Sequence, residues 1–321
     1  MKNYLNRFII IILALGIIMP WGSVGHATVT NQAELTLSNQ NMLSNSTKEE
    51  KFKYPTLKKA GKPEDAGFSS QKLQQVDQLI EQEINNGFPG AALVVIKDGK
   101  IVKNTAYGYA KKYDGHDLLK HPQKMKVDTM FDLASNTKMY SVNYALQHLV
   151  SERKIDLNET IQHYFPSFKD QPSDKIKGKD HLRIIDLLHH TAGFPSSVHY
   201  HNPVRAGELY SQDRSTTLEM ILKTPLQNEP GTTVVYSDID YMLLGFIIEK
   251  VTGLPLDQYV ETNIYKPLGL KSTMFNPLSK GFKEKDFAAT ELMGNTRDGV
   301  ISFPNIRTYT LQGEVHDEKS F

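Results

Sequence analysis

Helical spacing of apolar residues predicts three helices in this chain. The first has a serine cap at the start of "SSQKLQQVDQLIEQEINNGFPG", and Gly87 and Pro89 are its stop signals. The second begins at or near Ser135, and the third is capped by Ser237 or Asp238. Their apolar positions are Leu73, Val76, Leu79, Ile80 and Ile84; Met139, Val142, Ala145, Leu146 and Leu149; and Tyr241, Leu243, Leu244, Ile247, Ile248 and Val251. The first pattern describes a helix packed by one face.

A β-hairpin is predicted between the first two helices, over residues 91–109. Two β-branched and aromatic runs flank the turn dipeptide Asp98-Gly99. The polar stretch 111–127, which contains Asp114-Gly115, is predicted to be a surface loop. Helices and strands that come in separate runs are typical of an α+β fold.

The N-terminal segment has the pattern of an export signal. Basic residues precede an apolar run from Phe8 to Trp21, and small residues follow, with Ala27 at the cleavage position. The run of 14 residues is shorter than the roughly 20 that span a bilayer as a helix. We therefore predict a signal peptide over 1–27, a polar flexible linker over 28–62 and one folded domain over 63–321. The mature protein would lie outside the cytoplasmic membrane, attached to it only if the signal stays uncleaved.

Composition narrows the possible chemistry. The 321 residues contain 37 Lys and Arg against 36 Asp and Glu, a net charge of +1, which argues against a nucleic-acid partner. The chain has no cysteine, so a Cys nucleophile, a disulfide and a thiolate metal site are excluded. Nothing in the sequence calls for a cofactor.

Ser135 and Lys138 form an S-x-x-K pair at the start of the second helix. Residues three apart share a helix face, so the hydroxyl and the amine would meet. A serine hydroxyl becomes a useful nucleophile when a neighbouring base removes its proton, and helix N-terminal N–H groups can hold an oxyanion. The alternative is that Ser135 is an ordinary N-cap and Lys138 an exposed lysine. Spacing alone favours that alternative, so the functional interpretation needs a second motif.

The second motif is "YSD" at Tyr236, placed where a strand-like run turns into the third helix. With "FDLASNTK" and "LRIIDLLHHTAGF", it makes the chain from about Pro63 onward resemble the class C-like branch of the serine β-lactamase and penicillin-binding protein superfamily. The resemblance implies an antiparallel sheet flanked by helices plus an all-helical lobe. It also implies that Ser135 is acylated, that Lys138 accepts protons and that Tyr236 relays them.

Two departures from the family pattern affect what the resemblance implies. Asp238 stands where the family usually has a substrate-binding Asn; its charge favours a protonated Lys138 and shifts the role of base toward Tyr236. No K-T-G or H-x-G triplet follows Tyr236, although the family carries one on a C-terminal strand. We therefore expect a truncated chain that lacks the C-terminal strands of the family sheet and leaves an apolar sheet edge unpaired.

Four histidines lie close together in "HHTAGFPSSVHYH": His189, His190, His199 and His201. They lack the H-E-x-x-H pattern of a zinc helix, so we predict no metal site, and we assign Gly193 as the left-handed residue that ends the preceding helix.

The implied function is that of an exported serine-type D-Ala-D-Ala carboxypeptidase or β-lactamase-like hydrolase. Its partner would be a peptidoglycan stem peptide, a related ester or a β-lactam-like small molecule. The alternatives are a penicillin- or wall-binding protein without turnover, and an inactive truncated fragment.

Overall fold

The structure of the chain is a computed structural model that describes residues 57–294 and 306–320. The predicted signal peptide and most of the predicted linker lie outside the described residues. Within these two ranges, no helix combines the length and the hydrophobicity that crossing a lipid bilayer requires.

A four-stranded sheet forms one side of the described fold. β3 is its centre: β2 and β4 pair with it antiparallel, and β1 pairs with it parallel. A separate two-stranded ribbon joins β5 to β6. The strands are β1 (Lys58–Lys59), β2 (Gly90–Lys97), β3 (Lys100–Asp114), β4 (Asp117–Lys124), β5 (Ala289–Glu291) and β6 (Leu311–Gln312). The sheet therefore takes its first strand from the predicted linker.

The predicted hairpin is confirmed, and its second strand continues beyond the predicted end. Asp98 and Gly99 both take positive φ angles, 49° and 69°, as a tight two-residue turn requires. The prediction of a surface loop over 111–127 was wrong, because β3 runs to Asp114 and β4 returns from Asp117 around Gly115. The polar composition hid these strands: strands whose one face is open to solvent tolerate polar residues on that face.

Helices pack into a core beside the sheet, which confirms the α+β fold class. They are α1 (Ser70–Asn85), α2 (Tyr144–Ser151), α3 (Ile161–Tyr164), α4 (Ile184–Leu188), α5 (Pro203–Ala206), α6 (Arg214–Lys223), α7 (Asp238–Thr252) and α8 (Leu256–Val260). α7 is the central helix: five of its apolar side chains are fully buried, namely Ile239, Leu243, Leu244, Ile247 and Ile248. Val142, Ala145, Leu146 and Leu149 pack into the same core, while Met139 is exposed. A fixed α7 holds the residues at its N-terminus in place.

The turn after α4 differs from the prediction in one residue. His190, with φ 57°, is the left-handed residue that directly follows the helix, three positions before Gly193. Gly193 is required for a different reason: a Cβ there would lie 2.2 Å from the carbonyl oxygen of Asn228. Its own carbonyl accepts hydrogen bonds from the N–H groups of Gln227 and Asn228. The chain is thus held closely against the segment that leads to Tyr236.

Apolar groups remain exposed at the sheet edge. β2 is the edge strand, and Val94 and Ile96 on it are about half exposed, 51% and 50%. The predicted exposed edge is therefore present among the described residues. α1 packs against β3. In this contact the half-buried carboxylate of Asp77 accepts hydrogen bonds from the side chains of Lys103 and Tyr107 on β3.

Candidate active site

Ser135 lies in a tight 3₁₀ turn, Ala134–Asn136, at the entrance to the second helical segment. Ala134 has a φ of 46°, a left-handed conformation that is unusual for a residue with a Cβ. The carboxylate of Asp132 supports this turn by accepting a 2.7 Å hydrogen bond from the N–H of Ala134. Such backbone conformations persist where neighbouring groups hold them, and they cluster at functional sites. The side chain of Ser135 is exposed, so a ligand can reach it.

Lys138 begins a π-helical segment, Lys138–Asn143, that leads into α2. Its Nζ donates to Ser135 Oγ at 3.3 Å and to Asp238 Oδ1 at 2.9 Å. It also lies 4.7 Å from the centre of the Tyr236 ring. Burial alone would lower the pKa of Lys138, but hydrogen bonds with Tyr236 and Asp238 and the charge of Asp238 outweigh it. The pKa of Lys138 is therefore raised, and the side chain is an ammonium at neutral pH.

Tyr236 and Asp238 are positioned by the cap of α7. Ser237 is the N-cap: its hydroxyl accepts from Ile239 N–H and donates to the carbonyl of Pro195 at 2.7 Å. The N–H of Asp238 donates to the carbonyl of Ser196. These bonds tie the cap to the turn after α4, and they leave the Tyr236 side chain about half exposed, at 48%.

His190 also supports the cap of α7, through contacts with Ser237, Asp240 and Tyr236. Its Nδ1 accepts a hydrogen bond from the N–H of Ser237 at 3.2 Å and lies 2.7 Å from Oδ2 of Asp240. Its ring packs against Tyr236, with 4.9 Å between the ring centres. Burial raises the pKa of Asp240 to about 8, and burial together with the charge of Lys138 lowers the pKa of His190. At neutral pH the contact therefore joins a protonated carboxyl to a neutral imidazole.

Asp238 lies between two lysines. Lys138 contacts one carboxylate oxygen, and Nζ of Lys319 lies 3.5 Å from the other. Burial would raise the pKa of Asp238, but the hydrogen bond and charge of Lys138, with a further contribution from Lys319, hold it below its ordinary value. Asp238 is thus a carboxylate that helps to keep Lys138 charged, whereas the pKa of Lys319 is raised first by Asp317, 3.2 Å away, and then by Asp238.

The segment that carries Lys319 closes one side of an open cleft of about 1490 Å³. Ser135, Lys138 and Asp238 line this cleft, and so does Lys319. Asp132 links the two sides, because its second oxygen accepts a 2.6 Å hydrogen bond from the N–H of His316. The turn that carries Ser135 and the last described segment therefore share one carboxylate.

The four predicted site residues meet around Lys138: Ser135, Lys138 and Asp238 line the cleft, and the ring of Tyr236 lies 4.7 Å from Lys138 Nζ. The sequence analysis missed the supporting residues Asp132, His190 and Asp240. "FDLAS" and "HHTAG" place two of them beside recognised motifs, but nothing in the sequence indicates their contacts. Lys319 was also missed, since a lysine 81 residues after Asp238 carries no local signal.

A sequence profile of the family described as Beta-lactamase matches residues 76–311, most of the chain. This match includes Ser135, Lys138, Tyr236 and Asp238 and ends before Lys319. The chain belongs to the beta-lactamase family.

Two curated relatives are similar over most of this chain. A Bacillus subtilis (strain 168) protein named N-acetylmuramyl-L-alanine amidase is 63% identical over 258 residues, 80% of this chain and 58% of its own length. A protein of Salmonella paratyphi B, provisionally named D-alanyl-D-alanine carboxypeptidase, is 62% identical over 268 residues, 84% of this chain and 62% of its own length. The chain thus spans about three fifths of each of these relatives.

Among solved structures, the D-amino acid amidase from Ochrobactrum anthropi SV3 has a similar fold. The TM-score is 0.55 at 23% identity, over 77% of this chain and 64% of that chain. At this identity the likeness concerns the fold. It confirms the β-lactamase-like architecture that the motifs predict.

Proposed function

We propose that this chain carries the acylating serine of an exported serine hydrolase that cleaves an amide bond in cell-wall peptides. The observation that carries the proposal is the cluster in which Lys138 contacts Ser135 Oγ, Asp238 and the ring of Tyr236 on an open cleft. Export is proposed from the pattern of residues 1–27.

The charges in the cluster assign the roles. Lys138 is paired with Asp238 and holds its proton, so it is a poor base in this state. Its ammonium instead stabilises negative charge on the Tyr236 oxygen, which takes the Ser135 proton as Oγ attacks the carbonyl carbon. Tyr236 then gives that proton to the departing amine, leaving an ester on Ser135. Attack by water, with the proton transfers reversed, releases the acid and restores the serine.

The two relatives suggest two substrates. The name of the Bacillus subtilis relative specifies the N-acetylmuramyl-L-alanine amide, and that of the Salmonella relative a D-alanyl-D-alanine end. Both reactions would attack an amide carbonyl and form an ester on Ser135, which carries the lactoyl group of the muramyl sugar in the first case and a peptidyl-D-alanyl group in the second. A β-lactam presents a strained amide of the same kind, and we propose that it acylates Ser135.

The experiment combines trapping and turnover. Residues 28–321 and the Ser135→Ala variant are incubated with a fluorescent penicillin, and intact masses are recorded. One adduct per chain that is absent from the variant supports an acylating Ser135. The same proteins are then assayed with N-acetylmuramyl-L-alanine amides and with peptides ending in D-Ala-D-Ala. Folded protein that forms no adduct and cleaves neither substrate contradicts the proposal, and an adduct without cleavage identifies a penicillin-binding protein without turnover.

A further inference from the structure

A second cluster of chemically active side chains lies on the wall of the cleft, apart from Ser135. It joins His199 and His201, from the loop before α5, to Glu318, from the last described segment. One donor atom from each of the three residues lies within 4.8 Å of the other two. Ligands at about 2.0–2.2 Å from one metal ion lie at most about 4.4 Å apart, so the three donor atoms need to approach one another slightly to hold an ion.

The donor set suits a transition metal. Two imidazoles and one carboxylate are the protein ligands of many catalytic zinc sites, with a fourth position left for water or another ligand. Imidazole disfavours Mg²⁺ and Ca²⁺, which take oxygen ligands. The spacing His199-x-His201 differs from the helical H-E-x-x-H pattern, and Glu318 comes 117 residues after His201. The sequence analysis predicted no metal because it could not see the third ligand.

Burial and rigidity also favour a binding site. His201 and Glu318 are 6% and 8% exposed, and His201 Nε2 lies 3.9 Å from Glu318 Oε1. Two hydrogen bonds fix the loop that carries His199 and His201. In the first, the hydroxyl of the buried Tyr200 bonds Thr224 at 2.7 Å. Gln212 donates to the carbonyl of His201 at 3.0 Å. Ligands held in this way need little reorganisation to close around an ion.

The contact between Arg205 and His199 has to change when an ion binds. Arg205 Nη1 donates to His199 Nε2 at 3.4 Å. A neutral imidazole has one acceptor nitrogen, so His199 can serve either Arg205 or a metal through it, with the ring proton on the other nitrogen. Arg205 is exposed and can turn into solvent. Substitution of Arg205 should therefore leave the affinity for the metal ion unchanged or increase it.

We propose that His199, His201 and Glu318 form a binding site for a divalent transition-metal ion, with Zn²⁺ the best match to its ligands. The site is separate from the acyl-transfer residues and does not depend on the proposed function. Because Glu318 precedes Lys319, a bound ion would fasten the segment whose lysine contacts Asp238. The ion would act as a brace between the histidine loop and the wall of the cleft.

The test titrates Zn²⁺ alone into the metal-free 321-residue chain, purified with a tag that contains no histidine. Isothermal titration calorimetry and the Co²⁺ absorption spectrum are the two readouts. We expect one ion per chain, and at least about a tenfold loss of affinity in Glu318→Gln and His201→Asn. Glu318→Gln keeps the size of the side chain, so it tests the ligand without opening a cavity.

Two variants serve as controls. His181→Asn removes a histidine whose side chain is 88% exposed and should bind as the parent does. Arg205→Gln should bind at least as tightly as the parent. Folded parent protein that binds no Zn²⁺ overturns the proposal. So does a set of variants in which Glu318→Gln and His201→Asn keep the parent affinity, because the ion would then lie elsewhere.

Discussion

The nitrogen Nδ1 of His190 and the carboxyl of Asp240 share a proton that belongs to the aspartate. The two groups lie 2.7 Å apart, and burial raises the pKa of Asp240 to about 8 and lowers the pKa of His190, so the carboxyl holds the proton at neutral pH. The other carboxyl oxygen is buried and has no hydrogen-bond partner among the described residues, which disfavours a charged carboxylate. A neutral acid thus holds the loop that carries Tyr236.

This pair predicts a loss of stability as pH rises toward about 8. Because folding raises the pKa of Asp240 from 3.8 to about 8, the folded protein keeps a proton that the unfolded chain loses above its own, lower pKa. The resulting stability is full below about pH 4 and is lost as pH rises from there through about 8. The pKa of His190 is lowered from 6.5, so its own titration acts only below that value and leaves the range above about pH 7 to Asp240.

Asp240→Asn should remove the alkaline slope, since the amide can donate to His190 Nδ1 at every pH. Urea unfolding at about pH 7 and about pH 9 measures the effect in both proteins. Asp240→Ala serves as the contrast, and we expect it to cost about 1–3 kcal/mol at both pH values. Equal slopes in Asp240→Asn and the parent would contradict the assignment of the proton.

Asp238→Asn should move the alkaline limit of acylation to lower pH. The carboxylate raises the pKa of Lys138, and removing this opposite charge at 2.9 Å lowers that pKa. If the ammonium form is the active one, the rate of penicillin acylation falls as pH rises through this value. Stopped-flow fluorescence, recorded over a range of pH, gives the alkaline limit of acylation for the parent and for Asp238→Asn. The exposed Asp180→Asn is the control, and an unchanged limit in Asp238→Asn would show that Lys138 does not act as the cation.

Lys319→Ala should slow acylation by roughly threefold to tenfold, the effect of losing a partly buried charge contact worth about 1 kcal/mol. Without Lys319, Asp238 turns its whole charge toward Lys138 and restrains it more tightly. The comparison is with Lys271→Ala, which removes an exposed lysine. Equal rates in the two variants would mean that Lys319 only fills space beside the cleft.

Gly193→Ala should destabilise the protein by about 3–5 kcal/mol. Its Cβ would clash with the Asn228 carbonyl at 2.2 Å, and its φ of 92° adds backbone strain. Gly231→Ala is a matched control, because it has φ 77° but nothing within 4 Å of the added Cβ, and should cost about 1–2 kcal/mol. Denaturant unfolding measures both. Equal losses would place the cost in the backbone angle rather than the contact.

Local sequence patterns predicted much of the fold. The three predicted helices and the hairpin at Asp98-Gly99 are encoded by residues near one another in sequence. The second half of β3 and β4 escaped prediction because their residues are polar and their partner strand decides their shape. The left-handed residue after α4 was assigned to Gly193 rather than His190 because glycine is the usual choice for positive φ, whereas contacts around the His190 ring hold it there.

The candidate site divides in the same way. Ser135 with Lys138, and Tyr236 with Asp238, are recognisable because each pair lies within one turn of chain. Asp132, His190 and Lys319 contribute through contacts that span tens to hundreds of residues, and such contacts leave no periodic trace. Positive and negative residues are almost equal in number, so the distribution of charge along the sequence does not indicate the contacts of Asp132, His190 and Lys319.

The hydrogen bond between Asp132 and His316 joins residues 184 positions apart, and the Lys138–Asp238 contact spans 100. Closing loops of this length carries an entropic cost, and contacts of this kind slow folding. The helices can form early from local signals, but the turn of Ser135 receives its last support only when residue 316 has emerged. The turn that carries Ser135 is therefore completed later than the helices, and until then the half-exposed edge at Val94 and Ile96 must be kept from other chains.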